Sequence, residues 1–338
     1  MPRHHAPTAR NREPALLADI GGTNIRFALC ERGIAGPVST SRVDEYGDPL
    51  GAIRAFLAAE HHGREVHHAL LAVAGPVKDG RIILTNHAWK IDAEEVRKAL
   101  GFSSVSLIND FEATAWAIPR LAPGDVVFIG AGAAEPVQPI AVVGPGTGFG
   151  VACLVQDARS PRVIASEGGH ASLASSDHRE TAVVAILRER FGHVSAERAL
   201  SGDGLVNLFS AIAALDDAVV PERDAAQITA AALADACPVS RAALDMFCAI
   251  LGSVAGDLTL TFGARGGLYL AGGIIPRIPD YLARSEFRRR FEAKGRLTGY
   301  MTAIPTAIVI HPYPALRGLQ ALLDMPRRGN PEVRPRTA

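Results

Sequence analysis

Apolar positions change period several times in the first third of the chain. In "LLADIGGTNIRFALCE" (16–31) two apolar runs flank a Gly-Gly turn, which predicts strand, tight turn, strand over 15–31. Residues 49–59 place Leu50, Ile53 and Leu57 on one helical face. Residues 68–77 read as a short buried strand ending in Gly-Pro, and 81–89 as another strand. "DAEEVRKALG" (92–101) opens with Asp92 and Glu95 in a capping pattern and closes on Gly101. Residues 104–110 alternate as a strand, and 111–118 continue as a helix up to Pro119. Strands and helices alternating in this way argue an α/β domain around a central sheet.

Past Pro119 the composition shifts toward loop residues, and a domain boundary is expected there. "PIAVVGPGTGFGVACLVQD" (139–157) then repeats the opening pattern of strand, glycine-rich turn and strand. Gly22-Thr23 and Gly146-Thr147 stand 124 residues apart. Two such hairpins, each opening an α/β half, point to a duplicated architecture. The second half is otherwise mostly helical, with stripes at Val184, Leu187 and Phe191, at Leu205, Leu208, Phe209 and Ile212, and at Leu244, Phe247, Leu251, Val254 and Leu258. Strands are expected at 267–274 and 303–310 and a last helix at 314–324.

Composition narrows the class. With 35 basic and 35 acidic residues the chain of 338 carries no net charge, so it has no electrostatic footprint for nucleic acid or an anionic membrane. No run approaches the roughly 18 apolar residues that span a bilayer. The basic N-terminus lacks the apolar stretch of a secretory signal. Cys30, Cys153, Cys237 and Cys248 are far apart in apolar segments and read as core thiols in a reducing compartment. These features predict a soluble cytoplasmic protein with disordered tails at 1–14 and 326–338. The pairs His4-His5, His61-His62 and His67-His68 are expected in polar surface segments without acid or cysteine partners, and a metal site is rejected for them.

Three motifs carry candidate chemistry. Glycine-rich hairpins let backbone N–H groups approach phosphate oxygens; Thr23 and Thr147 add hydroxyls, and Asp19 stands at a strand end where it could serve Mg²⁺. Taken alone, such a turn needs no ligand, since Gly and Asn supply positive φ and Asp caps locally. Neither loop continues into Gly-Lys-Ser/Thr, and "GPGTGFG" leads into a strand, not a helix, so neither is a Walker or dinucleotide motif. In "INDFEA" (108–113), Asn109 and Asp110 end a strand before a helix, where α/β sheets place ligands; Asp110 as a plain helix cap is equally compatible. "SEGGH" (166–170) and "SAER" (195–198) offer Glu167, His170 and Glu197, a set suited to a polyhydroxylated ligand. Gly168-Gly169 is poor helix and argues against a Glu-x-x-His metal pair, while Glu197 alone would favour a helix N-terminus.

In order along the chain, "DIGGTN", "LTNHAW", "INDFEA", "GPGTGFG", "SEGGH", "HVSAERALSGDGLVNL" and "LYLAGGIIPR" resemble the bacterial glucokinase family, ATP-dependent hexose kinases of the actin/hexokinase superfamily. The resemblance runs from about Leu16 to Leu323. It implies an α/β fold of two ribonuclease-H-like (actin-like ATPase) domains with glucose and ATP in a cleft between them. A small domain over 15–120 would be completed by a C-terminal helix at 311–325, with a large domain over 121–310. Asp110 matches the catalytic aspartate that takes the proton of the sugar 6-hydroxyl. Asn109, Asp110, Gly148, Glu167, His170 and Glu197 match sugar-binding positions. Ala18, Asp19, Ile20, Gly21, Gly22 and Thr23 match the first phosphate loop, Gly146 and Thr147 the second, and Gly272 and Gly273 the glycines near adenosine. Mg²⁺ would be held by Asp19, directly or through water, and a homodimer is implied. Pro145 and Phe149 depart from the family's smaller loop residues, and "PALRGLQA" from its more glycine-rich C-terminal stretch. The cysteine-rich zinc motif of the neighbouring repressor/open-reading-frame/kinase sugar kinases is absent. The alternatives are a kinase for another hexose and a sugar- or ATP-sensing regulator without turnover; the first 14 residues are too short and Pro-rich for the DNA-binding module a regulator would carry.

Overall fold

The structure, a computed structural model, describes residues 13–60, 65–84, 88–157 and 160–325. Two compact units divide the chain: one ends at Asp110 and resumes at Leu316, and the other spans Phe111–Ala315. Composition placed the boundary past Pro119, and the resemblance implied 120/121 with the return at 311.

The first unit contains β1 (Ala15–Ile20), β2 (Asn24–Glu31), β3 (Ile34–Ala35), β4 (Ser39–Arg42), α1 (Pro49–Glu60), β5 (His68–Val73), β6 (Arg81–Ile83), β7 (Lys90–Asp92), α2 (Ala93–Leu100) and β8 (Ser104–Asn109). Its main sheet runs β3-β2-β1-β5-β8, with β4 also on β2. β1 is antiparallel to β2 and parallel to β5, which is parallel to β8. β1 and β5 are buried almost throughout, as expected of inner strands covered on both faces. Phe27 of β2 stacks on Phe56 of α1 with centroids 4.9 Å apart. The Asp92 carboxylate accepts from the N–H groups of Glu94 and Glu95, and Gly101 closes α2 at φ 71°.

The second unit opens with α3 (Asp110–Ala117), of which Asp110 itself counts with the first unit. It continues with β9 (Val126–Ile129), β10 (Ile140–Pro145), β11 (Phe149–Val155), β12 (Arg162–Ser166), α4 (His178–Phe191), α5 (Gly202–Leu215), α6 (Ala225–Leu233), α7 (Pro238–Phe262), β13 (Leu268–Leu270) and β14 (Thr306–Val309). Its sheet runs β12-β11-β10-β13-β14-β9. β10 is antiparallel to β11 and parallel to β13, and β13 is parallel to β14. The five-strand order of the first unit therefore recurs, with β9 added antiparallel at the β14 edge. The duplication expected from the two glycine hairpins is present in the topology.

Several expectations are corrected. α7 is long and apolar enough to cross a membrane by length and composition, although no run was expected to be; 72% of its most apolar window is buried, which fits a core helix. His68 is not a surface histidine. It is buried, with Nδ1 2.9 Å from Ser104 Oγ and Nε2 2.9 Å from Glu13 Oε2. Glu13 and Pro14, included in the expected N-terminal tail, are thus engaged, since the Pro14 carbonyl also accepts from the His67 N–H. The remainder of both tails, the pairs His4-His5 and His61-His62, and residues 85–87 of "LTNHAW" lie outside the described residues. Several strands are shorter than their apolar runs: β5 stops at Val73 before Gly75, whose φ is 131°, and β13 is three residues long. The four cysteines are buried free thiols. Pro314–Leu323 is the C-terminal helix; it buries Leu316, Leu319 and Leu323, and Gln320 Nε2 donates to the Gly33 carbonyl at the β2–β3 turn.

Candidate active site

Strand register aligns the first unit's candidate residues. Ile20 at the end of β1 pairs with Val73 at the end of β5, and Val73 pairs with Asn109 at the end of β8. Two inter-strand steps separate Ile20 from Asn109, roughly 10 Å. Gly21 and Asp110 are each the next residue beyond that line, at the carboxyl edge where parallel strands present ligand sites. The Ala74 N–H donates to the Ile20 carbonyl, and Asn109 Nδ2 donates to the Gly75 carbonyl at 3.2 Å, which orients the Asn109 amide. α3 begins at Asp110, directly after β8.

The first glycine turn is closed by the Gly21 N–H donating to the Asn24 carbonyl. Thr23 is exposed at its tip. Ala18 and Ile20 are core residues at 0% and 1% exposure whose side chains serve the sheet, and both are paired with β2 on one side and β5 on the other, which corrects their assignment as direct phosphate contacts. Asp19 is paired across the hairpin with Arg26, and its Oδ2 accepts from Arg26 Nη1 at 3.0 Å. Burial pushes the Asp19 carboxyl above its ordinary value, and the Arg26 guanidinium partly opposes that shift. Sequence reasoning missed Arg26, although counting outward from the turn pairs residue 19 with residue 26.

Gly22 and Gly146 are not among the glycines with positive φ, which corrects the conformational reason first given for such residues. In the second unit the demanding positions are others. A Cβ on Gly144 would overlap the Ala271 carbonyl, and one on Gly272, at φ 86°, would overlap the Pro145 carbonyl. The end of β10 and the Gly272-Gly273 turn thus cross backbone on backbone, and the Ile274 N–H donates to the Pro145 carbonyl. Around Gly146 the space is open, with Gly273 N at 3.7 Å from an added Cβ. Thr147 is exposed at the loop tip.

Glu167, His170 and Glu197 come together beside this loop. The segments carrying them are joined by the Ala196 N–H to the Ala171 carbonyl and the Leu173 N–H to the Val194 carbonyl. His170 Nε2 lies 3.8 Å from Glu167 Oε2, and its Nδ1 lies 3.9 Å from Glu197 Oε1. Both residues of the first pair are about half exposed, open to a ligand from solvent. Gly169 admits the Phe149 carbonyl where a Cβ would overlap it. Glu197 Oε2 accepts from the Phe149 N–H at 2.8 Å, and a Cβ on Gly148 would lie 2.5 Å from that same oxygen. The Phe111 ring covers Gly150 so closely that a Cβ there would overlap it. Among the described residues no three His, Cys, Asp or Glu side chains gather into a metal cage.

The family model described as Glucokinase matches residues 16–325. The chain is 44% identical over 313 residues to a glucokinase of Aromatoleum aromaticum, covering 92% of this chain and 95% of the relative. It is similar to the crystal structure of a glucokinase from an Antarctic psychrotroph, with TM-score 0.80, 41% identity and coverage of 92% and 98% of the two chains. A ROK family glucokinase from Streptomyces griseus, solved with glucose and AMPPNP, has the same fold at TM-score 0.63 and 19% identity, with coverage of 91% and 98%.

Proposed function

The chain belongs to the glucokinase family, an ATP-dependent phosphotransferase acting on glucose, and we propose how its own residues carry the transfer of the ATP γ-phosphoryl to the sugar 6-hydroxyl. Asp110 accepts the hydroxyl proton as the oxygen attacks. Asn109, Glu167, His170 and Glu197 hold the ring through its hydroxyls, with Gly148 admitting the sugar's approach to the second loop. The 18–23 turn and the Gly146-Thr147 turn border the phosphates, with the backbone N–H groups of Gly22, Thr23 and Thr147 and both threonine hydroxyls as donors, while the Gly21 and Gly146 N–H groups hold the turns closed on Asn24 and Gly148 and Gly272 and Gly273 border the adenosine. Such transfer relies on positioning and electrostatics more than on covalent chemistry. The observation that carries this reading is that Glu197, which accepts from Phe149 at the end of the β10–β11 glycine loop, meets the Glu167–His170 pair from some thirty residues away in sequence.

The residues present fit a magnesium ion that arrives with the nucleotide. Mg²⁺ is commonly bound by one or two carboxylates plus substrate phosphates and waters, and Asp19 supplies one carboxylate at the mouth of the first loop. The ion would neutralise charge on the transferring phosphoryl group. Asp19 would hold it directly or through water, its Oδ2 already accepting from Arg26.

A coupled ADP-release assay across a hexose panel tests the reading. Glucose should give the highest kcat/KM, and a clear preference for mannose or an amino sugar would replace it with the rival hexose reading. A site built to bond a hydroxyl rejects the analogue lacking it by up to ~10⁴–10⁵ in kcat/KM. Glu167→Gln and Glu197→Gln should each shrink the ratio between glucose and one deoxyglucose; unchanged ratios would leave both residues merely structural. A homodimer and a cytoplasmic setting belong to the same reading on the resemblance alone, and sedimentation equilibrium tests the former.

A further inference from the structure

Glu197 is bound to two things at once. One carboxylate oxygen faces His170 Nδ1 at 3.9 Å, while the other accepts the Phe149 N–H at 2.8 Å. Its own turn is fixed from behind. Ser201 Oγ donates to the Glu197 carbonyl at 2.9 Å and accepts from the Gly204 N–H at 2.9 Å. The next residue, Gly202, donates its N–H to the Gly146 carbonyl at 2.9 Å. The second glycine loop is therefore held to the 197–202 segment at two points, Phe149 and Gly146. Within the loop, the Gly146 N–H is turned onto the Gly148 carbonyl at 2.8 Å. The Glu197 contact is the only one of these cross-links made by a charged side chain.

We infer that Glu197 is a positioning residue for the second phosphate loop in addition to a sugar contact, and so links nucleotide affinity to the sugar site. The inference rests on the proposed assignment of 146–149 as a nucleotide loop. A backbone cradle binds well only in the conformer that presents its donors, and affinity falls with the fraction of molecules in that conformer. A hydrogen bond to a carboxylate is stronger than one between neutral groups. Losing it releases one of the loop's two anchors. A sugar hydroxyl that bonds Glu197 must either share the carboxylate with Phe149 or use the oxygen facing His170. In both cases the sugar and the loop act on one group, and any effect of one ligand on the other's affinity is reciprocal.

The test is calorimetric titration of AMPPNP with Mg²⁺ into the protein without sugar, using the wild type, Glu197→Ala and Glu197→Gln. Glu197→Ala should weaken AMPPNP about tenfold, the effect expected on losing a charged hydrogen bond, although no sugar is present. Glu197→Gln keeps an acceptor oxygen for the Phe149 N–H and should recover most of that loss, while still weakening glucose measured separately. If Glu197 serves the sugar alone, AMPPNP affinity without sugar is unchanged in Glu197→Ala, and the inference falls. Equal losses in the Ala and Gln variants also overturn it. If Glu197→Ala does not fold, Gly148→Ala takes its place: its Cβ pushes on the same oxygen, and the same loss without sugar is expected, whereas wild-type affinity would overturn the inference. A wild type that phosphorylates glucose but binds AMPPNP without involving this loop, so that Gly146→Val leaves affinity intact, removes the loop assignment and not the Glu197 contact.

Discussion

Asp110 has one task in the proposed reaction, to take a proton, and asparagine keeps its shape without its basicity. Asp110→Asn should lower kcat by about 10²–10⁴, the usual range for loss of a general base, while glucose affinity by calorimetry stays within a few-fold. A variant above about a tenth of wild-type kcat would remove Asp110 from that role. Asp19 makes a different prediction because its carboxyl is raised by burial. An acid whose folded pKa exceeds its unfolded value, near 3.8, binds its proton more tightly when folded. Its contribution to stability is therefore largest below about pH 4 and is lost as pH rises through the folded value. Asp19→Asn should flatten the fall in stability above about pH 4, read from urea unfolding at a series of pH values; an unaltered slope would mean that other groups carry it. At this scale the sequence named Asp19 and Asp110 because both end apolar runs. It did not reveal that Asp19 is held by Arg26, since that pairing depends on hairpin register, nor the Phe149 N–H, which looks like any other strand amide.

At the scale of elements, the glycines separate into those a turn tolerates and those a crossing segment demands. Gly146 attracts attention in the sequence because it sits in a glycine-rich turn, yet it has room for a Cβ and no positive φ. Gly144 and Gly272 face each other's segments at distances no Cβ accepts, and Gly272 adds a left-handed backbone. Gly146→Ala should therefore leave the thermal midpoint close to the parent. Gly144→Ala and Gly272→Ala should each cost roughly 1–3 kcal/mol or more, as overpacking and backbone strain do. Comparable losses at all three positions, measured by denaturant unfolding, would argue that the loop is intolerant throughout. Gly144 was not legible beforehand because its constraint comes from Ala271, more than a hundred residues away in sequence. The hairpins, capped α2 and the α7 stripe were legible because their signals are local: period, Asp92 and Gly101 at the ends of a helix, and a Gly-rich turn between apolar runs.

At the scale of the whole molecule, the repeated strand order was foreshadowed by the two hairpins and the return of the C-terminal helix was expected on the family resemblance alone, whereas the edge position of β9 is set by its pairing with β14, far away in sequence. That return has a consequence. Leu319 is fully buried in a helix assigned, from Leu316 on, to the first unit, while the second unit intervenes in the chain. The two units also carry separate hydrophobic cores, one around Leu16, Phe27, Ile53 and Leu71 and the other around Phe247, Leu251 and Phe287. The chain holds two tryptophans, and they divide between the units, Trp89 in the first and Trp116 in the second, both nearly buried. Trp89 belongs to the first unit's core and Trp116 lies in α3 of the second unit, so each can report its own unit once the other is changed to Phe. Leu319→Ala removes a buried side chain at about 2–5 kcal/mol, which for a unit near 100 residues corresponds to a midpoint lowered on the order of 10 °C or more. In the Trp116→Phe background the remaining Trp89 signal should show that drop, whereas in the Trp89→Phe background the Trp116 signal should stay near its parent value. Equal shifts of both signals would mean that the units unfold as one cooperative body. Since Asp19, Asn109 and Asp110 lie in the first unit and Glu167, His170 and Glu197 in the second, glucose phosphorylation should track the lower of the two transitions, because the proposed chemistry draws on both.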